Sequence, residues 1–197
     1  ACRSQQRAQE AIAKLGSDPR LEFLELDLAD LGSVRCAGAA LRARRERLDT
    51  LVLNAGVFSY ERSLTKDGFE ADIGVCHLGH FVLTAELWPL LLKSARARVV
   101  AVASMAHETV KKGLNLDDLN WEKRRWSWID AYAEAKLATV FFYKELARRT
   151  EAAGLKQVTV VALCPGFAHS RIFRGVPRHL TCLLPCLAVP SEKLSIN

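Results

Sequence analysis

Four short apolar runs punctuate the chain, each bounded by charged residues, glycine or proline. They are LEFLELDL (21–28), LDTLVLNAG (48–56), ARVVAVAS (97–104) and QVTVVALCPG (157–166). Their Leu- and Val-rich character predicts strands buried on both faces. Between them lie longer segments with helical periodicity, residues 4–15, 33–47, 67–93 and 131–152. The last follows its apolar stripe into Arg148-Arg149 and stops at Gly154, a basic final turn before a glycine. Strand–helix alternation of this length implies parallel strands with right-handed crossovers, hence an α/β doubly wound parallel sheet of Rossmann type. The chain reads as one domain over 1–197, with 107–130 as an insertion before the fourth helix and 180–197 as an atypical tail.

Such sheets hold ligands beyond the carboxyl ends of their strands. Asp27, Asn54-Ala55-Gly56, Ser104 and Pro165-Gly166 all stand at those ends. The fourth helix opens with DAYAEAKLATVFF (130–142), where Tyr132 and Lys136 stand four residues apart and share a face. A free phenol titrates near ~10 and is a poor proton donor or acceptor at neutral pH. A neighbouring ammonium favours the phenolate, so this spacing suits a tyrosine acid–base group tuned by a lysine. The same spacing also occurs by chance on helix surfaces, and the pair alone does not separate the two readings.

Composition narrows the setting. Half of the 197 residues are hydrophobic and a quarter are charged, which excludes a disordered chain. A net charge of +6 is compatible with nucleic acid, an anionic surface or a phosphorylated ligand. Six scattered cysteines without a C-x-x-C suggest reduced, mostly buried thiols in a reducing compartment. No apolar run reaches the ~18 residues that suggest a membrane span. His77 and His80 lie beside Cys76, yet no convincing fourth ligand stands elsewhere, so no metal is expected. The run WEKRRWSW (121–128) reads as a solvated insertion near a substrate entrance, and LRARRER (41–47) as an exposed helix face, so no nucleic-acid partner is expected.

Taken together, these motifs resemble the short-chain dehydrogenase/reductase family, in its retinol-dehydrogenase-like and WW-domain-oxidoreductase-like branch. Tyr132 and Lys136 match the family's Y-x-x-x-K, Ser104 its catalytic serine, and Asn54-Ala55-Gly56 its N-A-G. Pro165-Gly166 followed by Ser170 matches P-G-x-x-x-[ST]. The resemblance implies an oxidoreductase moving a hydride between NADP(H) and an alcohol or carbonyl of a small lipophilic substrate, of retinoid, steroid or fatty-aldehyde type. Ser104, Tyr132 and Lys136 would be catalytic, with Tyr132 and Lys136 also touching the cofactor. Arg3 stands where a guanidinium can bind the adenosine 2′-phosphate, and Asp27-Leu28 match positions that contact adenine. The resemblance also implies a cytoplasmic location or the cytosolic face of an intracellular membrane, membrane association through an N-terminal segment, and a homodimer.

Two departures stand against this pattern. Cys76 replaces the asparagine that, in the family, kinks the helix and holds a water behind the lysine. The family's glycine-rich T-G-x-x-x-G-x-G turn, first strand, first helix and most of the second strand are not in the sequence, nor is the last strand. In the family's strand order, 3-2-1-4-5-6-7, strands 21–28 and 48–56 flank the first two, so both are expected to lose a neighbour. The alternative is a catalytically silent interaction protein, or a truncated product, that keeps the fold.

Overall fold

The computed structural model describes residues 1–166 and Ile172. Ser170 and the segment 180–197 lie outside the described residues. Three strands, β1 (Thr50–Leu53), β2 (Ala97–Val102) and β3 (Val158–Leu163), form a parallel sheet in that order. Leu51 pairs with Val99, and Val99 with Val160, so the three carboxyl ends share one edge. The helices are α1 (Gln5–Lys14), α2 (Leu31–Arg44), α3 (Ala71–Ile73), α4 (Gly79–Leu92) and α5 (Trp128–Ala152). A π turn over Gly74–Leu78 joins α3 to α4.

Helix starts follow side-chain capping. The side chains of Ser4, Asp30 and Ser127 each accept a backbone N–H of the first turn of α1, α2 and α5. The main core forms where β1 and β2 meet α2 and α4. Val34, Leu91 and Val99 are fully buried there, each contributing about 1.5–3 kcal/mol as an upper bound. Two close approaches need glycine. A Cβ on Gly38 would lie 2.6 Å from Glu86 Cβ, where α2 crosses α4, and one on Gly79 would lie 2.7 Å from the Leu28 carbonyl oxygen.

Residues 71–92 are long and apolar enough to cross a membrane by length and composition, contrary to the run-length expectation. Leu83, Leu87, Leu90 and Leu91 are nevertheless packed in the protein core, as in a central helix of an α/β domain.

Three expectations need correction. Residues 21–28 do not form a strand of the sheet. They make one parallel bridge, Cys2 to Glu25, with Cys2 N donating to Leu24 O and Leu26 N to Cys2 O. A ladder needs a neighbour of equal length, and among the described residues only Cys2 lies alongside. For the same reason β1 is not buried on both faces: among the described residues it pairs with β2 alone, and Val52 is 58% exposed. The thiols are not mostly buried either. Cys36 and Cys164 are exposed, Cys2 is half-buried and Cys76 alone of the described four is buried, all of them free.

Within the segment 107–130, most residues are exposed or half-buried, with Asp118 and Trp121 as the buried ones. Trp121 is buried, with the Arg124 guanidinium 3.5 Å from the centre of its ring. Both Arg124 terminal nitrogens donate to Glu134 at 2.6 Å, and one also donates to the Asp118 carbonyl. Arg124 is therefore fastened to α5, while Glu122, Lys123 and Arg125 stay exposed, a distinction the linear pattern does not reveal. Removing one partner of a buried bidentate pair leaves the other charge stranded. Arg124→Ala should destabilise the protein by about 2–4 kcal/mol, against under ~0.5 kcal/mol for Arg45→Ala in the exposed pair with Glu22. Denaturant titration of the two variants side by side checks the contrast.

Candidate active site

The shared carboxyl edge of the sheet gathers the motif residues. Asn54-Ala55-Gly56 follow β1, Ser104 follows β2, and Pro165-Gly166 follow β3. Helix α5 passes beneath this edge and contributes Tyr132 and Lys136 from one face, with both side chains buried. The Ser104 hydroxyl stands near the Tyr132 phenol and favours its ionised form. Ser104 Oγ also accepts the Ala106 N–H at 3.2 Å, which fixes its rotamer at the start of a short 3-10 turn. Lys136 Nζ donates to the Val102 carbonyl at 3.1 Å and stands 5.6 Å from the centre of the Tyr132 ring.

In this arrangement the Tyr132 phenol titrates above its ordinary value, opposite to the expected lowering. Burial is the largest cause, and the negative forms of Cys76, Asp72 and Cys164 push the same way. The nearby Ser104 hydroxyl pulls the other way. The ring sits edge-on to Phe58 at 4.7 Å, and Phe58 in turn meets Trp128 at 5.1 Å, so the phenol faces apolar surroundings. The lysine gives its hydrogen bond to backbone rather than to the phenol. This state holds the phenol as an acid.

Cys76 lies in the π turn, behind Lys136. The turn is closed by Gly79 N donating to Gly74 O, so the irregularity is made by backbone without the asparagine. The Cys76 carbonyl accepts from Thr139 Oγ1 at 3.1 Å and from the His80 ring. Its thiol points to the Val57 carbonyl at 3.5 Å, and burial pushes the thiol up, so it stays neutral. Burial likewise pushes His77 and His80 down to about 4, leaving two uncharged imidazoles.

The open edge fits a dinucleotide. Asn54 and Ala55 are exposed, and a Cβ on Gly56 would meet Cys76 Sγ at 3.4 Å and Lys136 Nζ at 3.6 Å. The bare glycine thus leaves room above a buried ammonium, where a ligand hydroxyl could approach. Farther along, Arg3 Nη1 stands 3.9 Å from Asp27 Oδ2. This pair is long and half-exposed, worth roughly 0–1 kcal/mol, so Arg3 is readily released to an anion. Asp27 is held by Ser33 Oγ, which donates nothing to its carboxylate but accepts its backbone N–H, while Asp27 Oδ1 accepts Ala29 N. The Leu28 side chain is buried in the core against Gly79, so only its backbone is free to face an adenine.

A family model described as short chain dehydrogenase matches residues 1–115. The chain belongs to the short-chain dehydrogenase family. It is 40% identical to human retinol dehydrogenase 13 over 91% of this chain and 54% of that protein. It is 41% identical to the WW domain-containing oxidoreductase of Danio rerio over 98% of this chain and 48% of that protein. A solved structure from Mycobacterium paratuberculosis superposes with a TM-score of 0.73 at 38% identity, covering 95% of this chain and 65% of that one. The chain spans about half the length of the curated relatives it matches.

Within this short-chain dehydrogenase site, two buried carboxylates were not among the residues singled out from sequence. Glu70 and Asp72 are both fully buried at the start of α3. Glu70 caps the helix through Asp72 N and Ile73 N, while Asp72 accepts Ser59 N and Ser59 Oγ. Acidic residues at a helix start ordinarily read as solvated caps, so no linear signal marks these two. Phe58 was missed for a similar reason: one aromatic after N-A-G carries no spacing.

Burial and the neighbouring Glu70 raise the Asp72 carboxyl to about 7. A carboxyl raised in the folded state contributes stability below its unfolded value, and this is lost as pH rises through the folded value. His77 and His80, held low, act in the opposite sense over part of that window. Comparing Asp72→Asn with the wild type isolates the carboxyl. The melting temperature of the variant, relative to wild type, should climb between about pH 4 and pH 7 and level off above. Thermal melts across that range check it, at about 2–4 °C per kcal/mol.

Proposed function

We propose that the full-length protein is an NADP(H)-dependent oxidoreductase that interconverts an alcohol and a carbonyl on a small lipophilic substrate. The observation that carries this reading is the convergence of Ser104, Tyr132 and Lys136 at the carboxyl edge of the parallel sheet, with the Ser104 hydroxyl near the Tyr132 phenol. When bound, the nicotinamide supplies or accepts the hydride. Tyr132 would exchange the proton with the substrate oxygen, as acid in reduction and as base in oxidation. Ser104 would hydrogen-bond the same oxygen and stabilise charge developing on it. Lys136 would hold ribose hydroxyls above Gly56, and its ammonium would favour the phenolate when oxidation calls for it.

Arg3 supports the choice of NADP(H), since a half-exposed guanidinium beside Asp27 can take a 2′-phosphate. Asp27, the Leu28 backbone, Asn54, Ala55, Pro165, Gly166 and Ser170 would complete the cofactor site. The lipophilic substrate is supported by the aromatic surroundings of Tyr132, and human retinol dehydrogenase 13 is named for such a molecule. The reading covers retinoid, steroid and fatty-aldehyde substrates without choosing among them. The assembled trio favours an enzyme over a silent member of the family. Free cysteines fit the cytoplasm or the cytosolic face of an intracellular membrane, with an N-terminal segment as the means of attachment. The exposed Phe81 and Phe141 on α4 and α5 suit a homodimer contact.

Two substitutions in the full-length protein test this reading. Tyr132→Phe should lower turnover by about a hundredfold or more while cofactor affinity stays within a few-fold. Near wild-type turnover would contradict the mechanism. Arg3→Asp should shift preference from NADPH towards NADH, because a carboxylate repels the phosphate but accepts from a ribose hydroxyl. Steady-state kinetics with both cofactors measure the ratio, each tenfold change being about 1.4 kcal/mol.

A further inference from the structure

Lys136 is 3% exposed, so its ammonium has left water. Among the hydrogen bonds of the described residues it makes one, to the Val102 carbonyl. A buried ammonium with a neutral acceptor alone is poorly compensated, and an anion in range is the usual remedy. The groups facing it can be named. Tyr132 lies on its own helix, and Cys76 and His80 face it from the π turn and α4. Cys164 beyond β3 also feels its charge. Cys76 is held neutral by burial, His80 is an uncharged imidazole, and Tyr132 is protonated. Asp72 is the carboxylate in this company, and its charge and that of Lys136 attract each other. Glu70 sits beside Asp72 but uses both oxygens on the helix start, under the influence of Arg62.

Asp72 also has a mechanical connection to the site. It receives Ser59 N at 3.1 Å and Ser59 Oγ at 2.9 Å, while Cys76, one turn on, holds the Val57 carbonyl. These contacts grip residues 57 and 59 and fix Phe58 between them, edge-on to Tyr132. Asp72 thus grips the Phe58 wall through Ser59, while Cys76, one turn on in the same segment, lies beside Lys136 Nζ, since a Cβ on Gly56 would meet both.

We infer that Asp72 is a positioning residue of the active site, serving as counter-charge to Lys136 and, through Ser59, as the anchor of the Phe58 wall beside Tyr132. The inference rests on the proposed oxidoreductase reading for its catalytic consequence, but not for the charge pairing. Loss of a proton from Asp72 strengthens the hold on the ammonium. Gain of a proton removes that counter-charge.

The pairing is tested without turnover. In protein labelled with 13C at the aspartate carboxyls, the Asp72 signal is assigned by its loss in Asp72→Asn. Its midpoint should lie near neutral pH in the wild type and move up in both Lys136→Met and Lys136→Gln. An unmoved midpoint in a variant that keeps a native spectrum overturns the pairing. Turnover tests the consequence. Asp72→Asn keeps an acceptor for Ser59 but lacks the charge, so the acid limb of the kcat profile should disappear, with kcat lowered about tenfold and substrate KM within a few-fold. A retained acid limb overturns the positioning role. Turnover surviving Tyr132→Phe would refute the oxidoreductase mechanism instead, and leave the carboxyl titration to decide the pairing on its own.

Discussion

A lysine ammonium held out of water is the constraint on which the centre of this molecule depends. Lys136 cannot be moved to the surface, because α5 presents its Tyr132 face to the carboxyl edge of the sheet. The surroundings answer the charge piece by piece. The Val102 carbonyl at the end of β2 accepts a hydrogen bond, Gly56 at the end of β1 leaves space above Nζ, and the π turn brings Cys76 up beside it. Each answer comes from a different element, so the site and the α/β fold are stabilised by the same contacts.

The π turn shows how a backbone irregularity can outlive the side chain associated with it. Cys76 offers only a weak hydrogen-bond partner, yet its carbonyl is engaged by Thr139 and His80, and the turn is closed between Gly74 and Gly79. A side chain on Gly79 would strike the Leu28 carbonyl, so the local path of α4 is set by close packing as well as by hydrogen bonding. The substitution at Cys76 therefore alters the polarity behind Lys136 and leaves the geometry in place.

Much of the fold was legible because its signals are local. Alternating apolar runs and helical stripes gave β1, β2, β3 and the long helices to within a few residues, and the motif residues fell at strand ends because parallel α/β sheets put them there. What escaped depended on partners distant in sequence. LEFLELDL has every composition cue of a strand, yet among the described residues it pairs through a single bridge to Cys2. Arg124 reads as a surface arginine until α5 brings Glu134 to it. Asp72 and Glu70 read as helix caps until packing seals them from water. The Tyr132–Lys136 spacing was read correctly as a shared face. Its electrostatic sense differed, because burial among aromatic rings outweighs an ammonium turned to a backbone carbonyl.

The central claim is that this site passes a hydride and a proton between a nicotinamide and a lipophilic carbonyl. The most direct test uses the full-length protein with NADPH deuterated at the transferable position and a long-chain or retinoid aldehyde. Mass spectrometry of the alcohol should find one deuterium on the former carbonyl carbon. Alcohol formed without deuterium at that carbon, or no alcohol from any such aldehyde while NADPH is bound, would contradict the account.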